Sequence, residues 1–427
     1  MHLRKISESK IWDVAVIGGG PAGMMAAGHA AILGASVLLL EKNKLLGKKL
    51  SITGGGRCNV TNAEFDNKKL LSKFKESGKF LASPFSQWSV QQSLDFFHAR
   101  SMPTKVEAEL RVFPLSNTAS SVVETMTAFL AETGVTVRTN ATVVKLHSEG
   151  DRVSSIELRN GEQVHATSII LATGGTSHPE TGSTGEGYQW LRSLGHSIRD
   201  ARASLVPVAL KNASTRRAAG VSVRNAKITL YQNESKQAHI VGKILFTHVG
   251  LSGPAILNIS NEIGELLKYG PVTIEIDLIP DLGYEKINAA LQATFTEHHT
   301  RKIKNALQGI LVPALIPLVL SAALIDIETP CHSITREARM RLIRALKHSR
   351  YEVQNLLGLD KAIITAGGVS LSEVDFKSMR SSKYSNLYLV GDVLDIDRPS
   401  GGYSLQLCWT TGFVAGCAAA RAAKNIR

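Results

Sequence analysis

The sequence predicts an α/β fold built on a buried parallel sheet, and three observations lead there. Residues 12–17 (WDVAVI) form a short apolar run ending at Gly18. Residues 21–33 follow as a helix of mostly small side chains, and 36–40 (SVLLL) as a second apolar run. Short runs that are apolar throughout, rather than alternating, suit strands covered on both faces. Strand, helix and strand in this order make a βαβ unit.

The later elements are read in chain order. A glycine-rich loop comes at 54–56. Residues 135–146 and 152–158 alternate like strands, with a turn at Asn160-Gly161, and 168–172 (SIILA) is another buried strand. From about 201 to 279 short strands dominate, among them 226–231 (AKITLY) and 272–278 (VTIEIDL). Between 284 and 350 the pattern turns helical. Strand character returns at 362–365 (AIIT) and 387–390 (LYLV), and a last helix is expected from about 402 to 423. There is no internal repeat and no low-complexity tract.

A chain of 427 residues exceeds what one core usually serves, so two or three domains are expected. Hydrophobic content of 44% with 20% charged residues excludes bulk disorder. Cys58, Cys331, Cys408 and Cys417 are too few and too scattered for a disulfide framework, which points to a reducing cytoplasm. No secretory signal is expected, since the first apolar run passes straight into glycines. The apolar stretch Ile310 to Ile325 is short for a membrane span and contains Pro313 and Pro317. The net charge of +13 suits anionic partners or ligands. Its densest run, Arg336, Arg339, Arg341, Arg344, Lys347 and Arg350, is interleaved with Met340, Leu342, Ile343 and Leu346, as in a helix with one basic solvated face.

Residues Gly18 to Gly23 fit the pattern G-x-G-x-x-G after a strand and opening a helix. Gly18 suits the tight turn, Gly20 lets backbone approach a pyrophosphate, and Gly23 lets helix and strand pack closely. The helix start then favours the two phosphates. Glu41, at the end of the second strand, is placed to accept hydrogen bonds from ribose hydroxyls. Together these predict dinucleotide binding. Leu387 to Asp392 (LYLVGD) reads as a strand ending in Gly-Asp, and Gly401-Gly402 start a helix. That arrangement would bring Asp392 to a ribityl or phosphate-linked hydroxyl. It would also aim a helix N-terminus at the electron-accepting edge of a flavin.

Four blocks carry a resemblance. Lys48 to Asn62 (KKLSITGGGRCNVTN), Leu171 to Tyr188 (LATGGTSHPETGSTGEGY), Phe246 to Leu257 (FTHVGLSGPAIL) and Gly391 to Gln406 resemble a bacterial family of NAD(P)/FAD-dependent oxidoreductases, aminoacetone-oxidase-like and bile-acid dehydro-reductase-like. The resemblance implies a glutathione-reductase-type, Rossmann-like FAD-binding domain, read here as 1–200 with 376–427. It implies a β-rich second domain at 201–279 with 351–375, and a helical insert at 280–350. The implied FAD contacts are Gly18, Gly20, Pro21, Ala22, Glu41 and Lys42, with the loop Gly54, Gly55, Gly56, Arg57, Cys58 and Asn59 near the flavin ring. Val143 would present backbone to the adenine, Ala172 and Gly174 would border the cofactor, and Asp392, Gly402, Tyr403 and Ser404 would line the closing helix. The chain departs from the family's pattern at Asp392 (more often Glu), Ser404 (more often Asn), Arg398 (usually small) and His178 (often Tyr). The segment Val312 to Leu320 is also more apolar than usual.

The expected function is that of an FAD-dependent oxidoreductase acting on a small molecule through hydride transfer at the flavin. Thr181 to Gly187 is similar to the fumarate-reductase type of flavoprotein, which points to chemistry at an activated carbon–carbon bond. NAD(P)H is the candidate electron donor, though a single fingerprint leaves it no second βαβ site. Cys58 has no resolving cysteine nearby and reads as packing. His178 and His248 are candidates for protonating a reduced substrate; no catalytic residue or metal site is assigned. The apolar stretch at 310–325 is expected to line a groove for a substrate with an apolar body, with the arginines of 336–350 facing solvent. Two other readings stay open: a flavoprotein that acts on or binds tRNA, from the charge and the basic helix, and a non-catalytic flavin-binding protein.

Overall fold

The computed structural model describes residues 10–211, 213–358 and 364–425. The chain forms two compact units, Met1–Ala203 with Ile363–Arg427, and Ser204–Ala362.

The first unit begins with β1 (Ile11–Ile17), α1 (Pro21–Ile32) and β2 (Val37–Leu40), close to the expected bounds. Val14, Ala15, Val16, Leu38 and Leu39 are fully buried, as strands covered on both faces must be. β1 runs parallel to β2, with Ile17 opposite Leu40. On its other side it runs parallel to β4 (Gln163–Leu171), with Ile17 opposite Leu171. β3 (Thr136–Arg138) extends the sheet beyond β2. The expected strand at 135–146 is in fact two, because the chain leaves the sheet after Arg138 and resumes at Val143 in a hairpin with Arg152–Leu158.

The second unit holds a closed six-stranded antiparallel barrel. Its strands are β5 (Val208–Leu210), β6 (Ser222–Gln232), β7 (Ser235–Phe246), β8 (Gly250–Ser252), β9 (Thr273–Asp277) and β10 (Ser349–Leu356), in the order β5-β8-β7-β6-β9-β10. Its helices include α2 (Pro254–Leu267), α3 (Tyr284–Glu297), α4 (Ile316–Ala322) and α5 (Arg336–Lys347). Helices and barrel share one hydrophobic core, so the segment 280–350 packs as part of this unit. The apolar stretch builds that core: Leu315, Ile316, Val319 and Leu320 are buried within it. This revises the expectation of a groove wall for those four residues, because side chains packed in a core are not offered to a substrate.

The chain then returns to the first unit. The strand expected at 362–365 lies partly outside the described residues; Ile364–Val369 is a strand and pairs with Ile198–Ser204, and Val374–Asp375 joins the main sheet's edge. The stretch 364–375, expected with the β-rich domain, therefore sits in the first unit. β11 (Leu387–Leu389) pairs parallel with β4, Leu389 opposite Leu171. α6 (Tyr403–Asn425) then packs along α1. A Cβ at Gly412 would stand 2.4 Å from the Ala22 carbonyl oxygen, and one at Gly416 would stand 2.3 Å from that of Ala26. Only glycine permits that approach. Among the described residues no helix is long and apolar enough to cross a membrane.

Because the obstructing atoms at Gly416 are backbone, they cannot swing aside for a side chain. Gly416→Leu should destabilise the first unit by about 1–3 kcal/mol, the usual range for overpacking. Calorimetry should show a lowered melting temperature; an unchanged midpoint would mean the helices do not meet this closely.

Candidate functional site

The register of the parallel strands builds the site. Ile17, Leu40, Leu171 and Leu389 end at one level across the sheet, so the turns that follow them lie together at the carboxyl ends. In open α/β sheets that edge is where ligands bind. It gathers Gly18 to Gly23, Glu41, Ala172 to Gly174 and Asp392.

The first turn is shaped by backbone contact. Gly18 has φ +107° and donates its N–H to the Leu40 carbonyl at 2.8 Å. A Cβ at Gly23 would lie 1.9 Å from the Gly18 oxygen. Gly20 caps α1, Pro21 follows it at the helix start, and no side chain caps the first turn. A Cβ at Gly20 would meet no protein atom within 4 Å. Uncapped first-turn N–H groups facing open space suit a pyrophosphate.

Glu41 is buried, and its carboxylate is aimed by three donors: the Gly19 N–H, the Asn43 N–H and the Asn43 side-chain amide, each at 2.7 Å. A carboxylate has about four acceptor positions, so roughly one stays open for a ribose hydroxyl. The Ala141 N–H donates to the Glu41 carbonyl at 2.9 Å, which brings the segment leading to the buried Val143 alongside. Lys42 is tied to Glu186 at 2.5 Å and Thr184 at 2.8 Å.

The opposite wall follows β4. The Ala172 N–H donates to the Ile17 carbonyl at 2.9 Å, and Gly174 has φ +73°. Between them the Thr173 hydroxyl is buried without a hydrogen-bond partner, as is Asn62 Oδ1 beside Gly401. Orphaned buried oxygens of this kind are what a bound ligand satisfies.

The loop at 54–59 is partly as expected. Gly54, Gly55 and Gly56 are exposed with positive φ. Arg57 is bound to Glu107 at 2.5 Å and to Asn117 at 2.6 Å, and its guanidinium lies 4.1 Å from the Phe113 ring centre. Its charge is therefore already compensated within the loop's own surroundings. Asn59 accepts from the Val112 N–H at 3.2 Å. Cys58 is fully buried, and burial pushes its thiol up to about 12, which leaves it protonated and unreactive at neutral pH.

Asp392 follows β11. Its carboxylate is paired with Arg398 on one oxygen and lies 3.5 Å from the Lys49 ammonium on the other. Burial works against that charge, yet Arg398 and Lys49 hold the carboxyl below the usual carboxylate range. Arg398 also donates to the Ser404 hydroxyl at 3.0 Å, so three of the departures from the family pattern touch one another. A Cβ at Gly402 would lie 2.3 Å from the Thr61 carbonyl oxygen, which seats the start of α6 on that strand. Tyr403 packs edge-on to Phe74 at 6.0 Å.

Sequence reasoning overlooked Lys49, Asn62 and Gln406. Gln406 is fully buried and joins Thr61, Ser93 and Thr410 in one hydrogen-bonded group. The only sequence signal was a glutamine inside an otherwise apolar helix. His178 pairs with Glu180 at 2.9 Å, while His248 is exposed on the second unit. No group of side chains suited to a metal ion occurs among the described residues. The second unit also has a cavity of about 390 Å³ lined by Leu318, Ser321, Arg341, Arg344, His348 and Arg350, among others. Arg341 and Arg344 thus share a cavity with part of the apolar stretch, and the two do not form separate faces. Arg339 instead donates to Asn288 at 2.9 Å.

The sequence matches the family described as HI0933-like protein Rossmann domain over residues 12–418. It is 31% identical over 412 residues to a 3-dehydro-bile acid delta(4,6)-reductase of Clostridium scindens, covering 95% of this chain and 98% of that protein. It is 30% identical over 412 residues to a ribosomal RNA dihydrouridine synthase of Haemophilus influenzae, again covering 95% and 98%. Among solved structures, a 3-ketosteroid delta1-dehydrogenase from Sterolibacterium denitrificans shares the fold at a TM-score of 0.56 and 14% identity, covering 97% of this chain and 100% of that one.

The open space at Gly20 allows a clean test. Gly20→Val should still fold, because no protein atom lies within 4 Å of where its Cβ would stand. It should nevertheless lose dinucleotide binding by at least about a hundredfold, since its methyl groups would occupy the pyrophosphate's place. Titration of the variant with FAD would read this; full occupancy would show that the pyrophosphate lies elsewhere.

Proposed function

The chain belongs to the HI0933-like Rossmann family and is an FAD-dependent oxidoreductase, and from that premise we propose that it moves a hydride to or from an activated carbon–carbon bond of a small molecule, with NAD(P)H as the reductant. The observation that carries this reading is the common level of four parallel strand ends, which assembles one acceptor, one uncapped helix start and one orphaned hydroxyl, that of Thr173, at a single edge.

FAD, when bound, supplies the redox chemistry. The chain's own residues bind and orient it. Gly20 and the start of α1 hold the pyrophosphate, Glu41 the adenosine ribose, and Asp392 a hydroxyl of the linker. The N-terminus of α6 offers a dipole that favours negative charge arriving nearby. Burial pushes the thiols of Cys58 and Cys408 up to about 12, so neither competes as a nucleophile.

The substrate class is supported by the two relatives. Both names describe saturation of a carbon–carbon double bond, one in a bile acid oxidised at position 3 and the other in the uracil ring of ribosomal RNA. In each, a carbonyl conjugated with the bond makes it a hydride acceptor. A second reading, action on such a bond within RNA, is favoured by Arg341 and Arg344 around one cavity, since guanidinium groups suit phosphates. A tRNA in particular has the overall charge and the basic helix in its favour.

Anaerobic stopped-flow spectroscopy separates these readings from other flavin chemistry. Flavin bleached by NAD(P)H should be reoxidised by conjugated enones faster than by saturated ketones. Bleaching by amines, with no reoxidation by any enone or uridine-containing RNA, would sink the proposal.

A further inference from the structure

The loop between β11 and α6 buries a charge. Arg398 is 2% exposed, and its guanidinium is held by the Asp392 carboxylate, the Ile396 carbonyl at 2.7 Å and the Ser404 hydroxyl at 3.0 Å. Burying an arginine this fully costs several kcal/mol unless a partner compensates it, and apolar replacements often serve stability equally well. Stability alone therefore gives little reason to keep it.

The exposures rank the groups. The side chain of Arg398 is 0% exposed, that of Asp392 14%, and that of Lys49 22%. Lys49 and Asp392 reach the accessible edge, and Arg398 stands behind them. Its three contacts come from residues 392, 396 and 404, so one side chain joins the strand-end acid to the first turn of α6.

We propose that Arg398 is a positioning residue that holds the Asp392 carboxylate, ionised and in one orientation, as an acceptor for a hydroxyl of bound FAD. The inference rests on the reading of Asp392 as a cofactor contact. It goes further in assigning to Arg398 the charge state on which that contact depends.

The other groups around Asp392 do not replace this role. Lys49 is 3.5 Å away and also donates to Ser177 at 2.6 Å. The Tyr188 hydroxyl donates to the Asp392 carbonyl at 2.8 Å and leaves the carboxylate alone. Cys408, from α6, is a neutral thiol at working pH. Asp395 and Asp397, on the same loop, pair with Arg199 at 3.3 Å and Lys75 at 3.2 Å. Without Arg398, burial is opposed by Lys49 alone, and the Asp392 carboxyl moves upward. Affinity for FAD would then be present above that raised value and lost as pH falls through it.

The test is FAD affinity against pH, measured by fluorescence titration of flavin-stripped full-length protein. Wild type should bind equally well at about pH 8 and about pH 5.5, because its carboxyl stays ionised across that window. Arg398→Gln should bind within a few-fold of wild type at the higher pH and at least about tenfold more weakly at the lower. Arg398→Lys, which keeps the charge, should restore the flat profile. On an Asp392→Asn background, Arg398→Gln should cost nothing further. A loss in Arg398→Gln that is equal at both pH values would make Arg398 a structural stitch and overturn the proposal, as would no loss at all. If Arg398→Gln does not fold, Asp392→Asn carries the test: it should weaken FAD at both pH values, and wild-type affinity would overturn the inference. Wild type that takes up no FAD would sink the cofactor reading and this inference together. An unaltered pH profile in a variant that still binds FAD would sink the inference alone.

Discussion

Backbone meets backbone on two sides of the N-terminal half of α1, and the first unit is arranged to let it. The Gly18 oxygen lies 1.9 Å from where a Cβ at residue 23 would stand. The carbonyl oxygens of Ala22 and Ala26 come within 2.4 and 2.3 Å of where Cβ atoms at Gly412 and Gly416 would stand. One helix is thereby seated on the turn after β1 along one flank and on α6 along another. Residues almost four hundred positions apart in the chain become neighbours, and the N-terminal fingerprint shares its surroundings with the loop that carries Asp392. A side chain at any of these positions would move α1 and, with it, the donors of its first turn.

The electrostatics follow from that placement. Donors at the start of α1 favour an anion, while Glu41 is aimed by the Gly19 N–H in the same turn. The site thus offers donors for phosphates and an acceptor for hydroxyls within a few residues. On the far side, Asp392 is kept charged despite burial by two cations. Buried cysteines nearby are held neutral.

How much of this was legible in the sequence depended on range. β1, α1 and β2 were readable because their signal is local: an apolar run, a glycine turn, small residues and an acid at fixed spacing. Closure of the barrel was not, because which strand pairs with which is decided by residues far apart in the chain. The apolar stretch at 310–325 looked like a groove wall because hydropathy does not distinguish a buried face from a concave one. The structure places Leu315, Ile316, Val319 and Leu320 in the core instead. Arg57 and Arg398 illustrate the same limit for charges. Both were visible as departures or motif residues, but their partners were not: Glu107 and Asn117 lie fifty or more residues from Arg57, and Asp392 and Ser404, though six residues from Arg398, meet it only through the fold of their loop.

Glu41 and the turn after β1 are proposed to serve an adenine dinucleotide. Chromatography of the flavin released by denaturing purified protein, expressed with ample flavin, tests that most directly. FAD at close to one equivalent per chain is the result expected from the proposal that Glu41 holds an adenosine ribose. FMN alone would contradict it, since FMN has no adenosine and would leave the whole N-terminal cradle without a ligand.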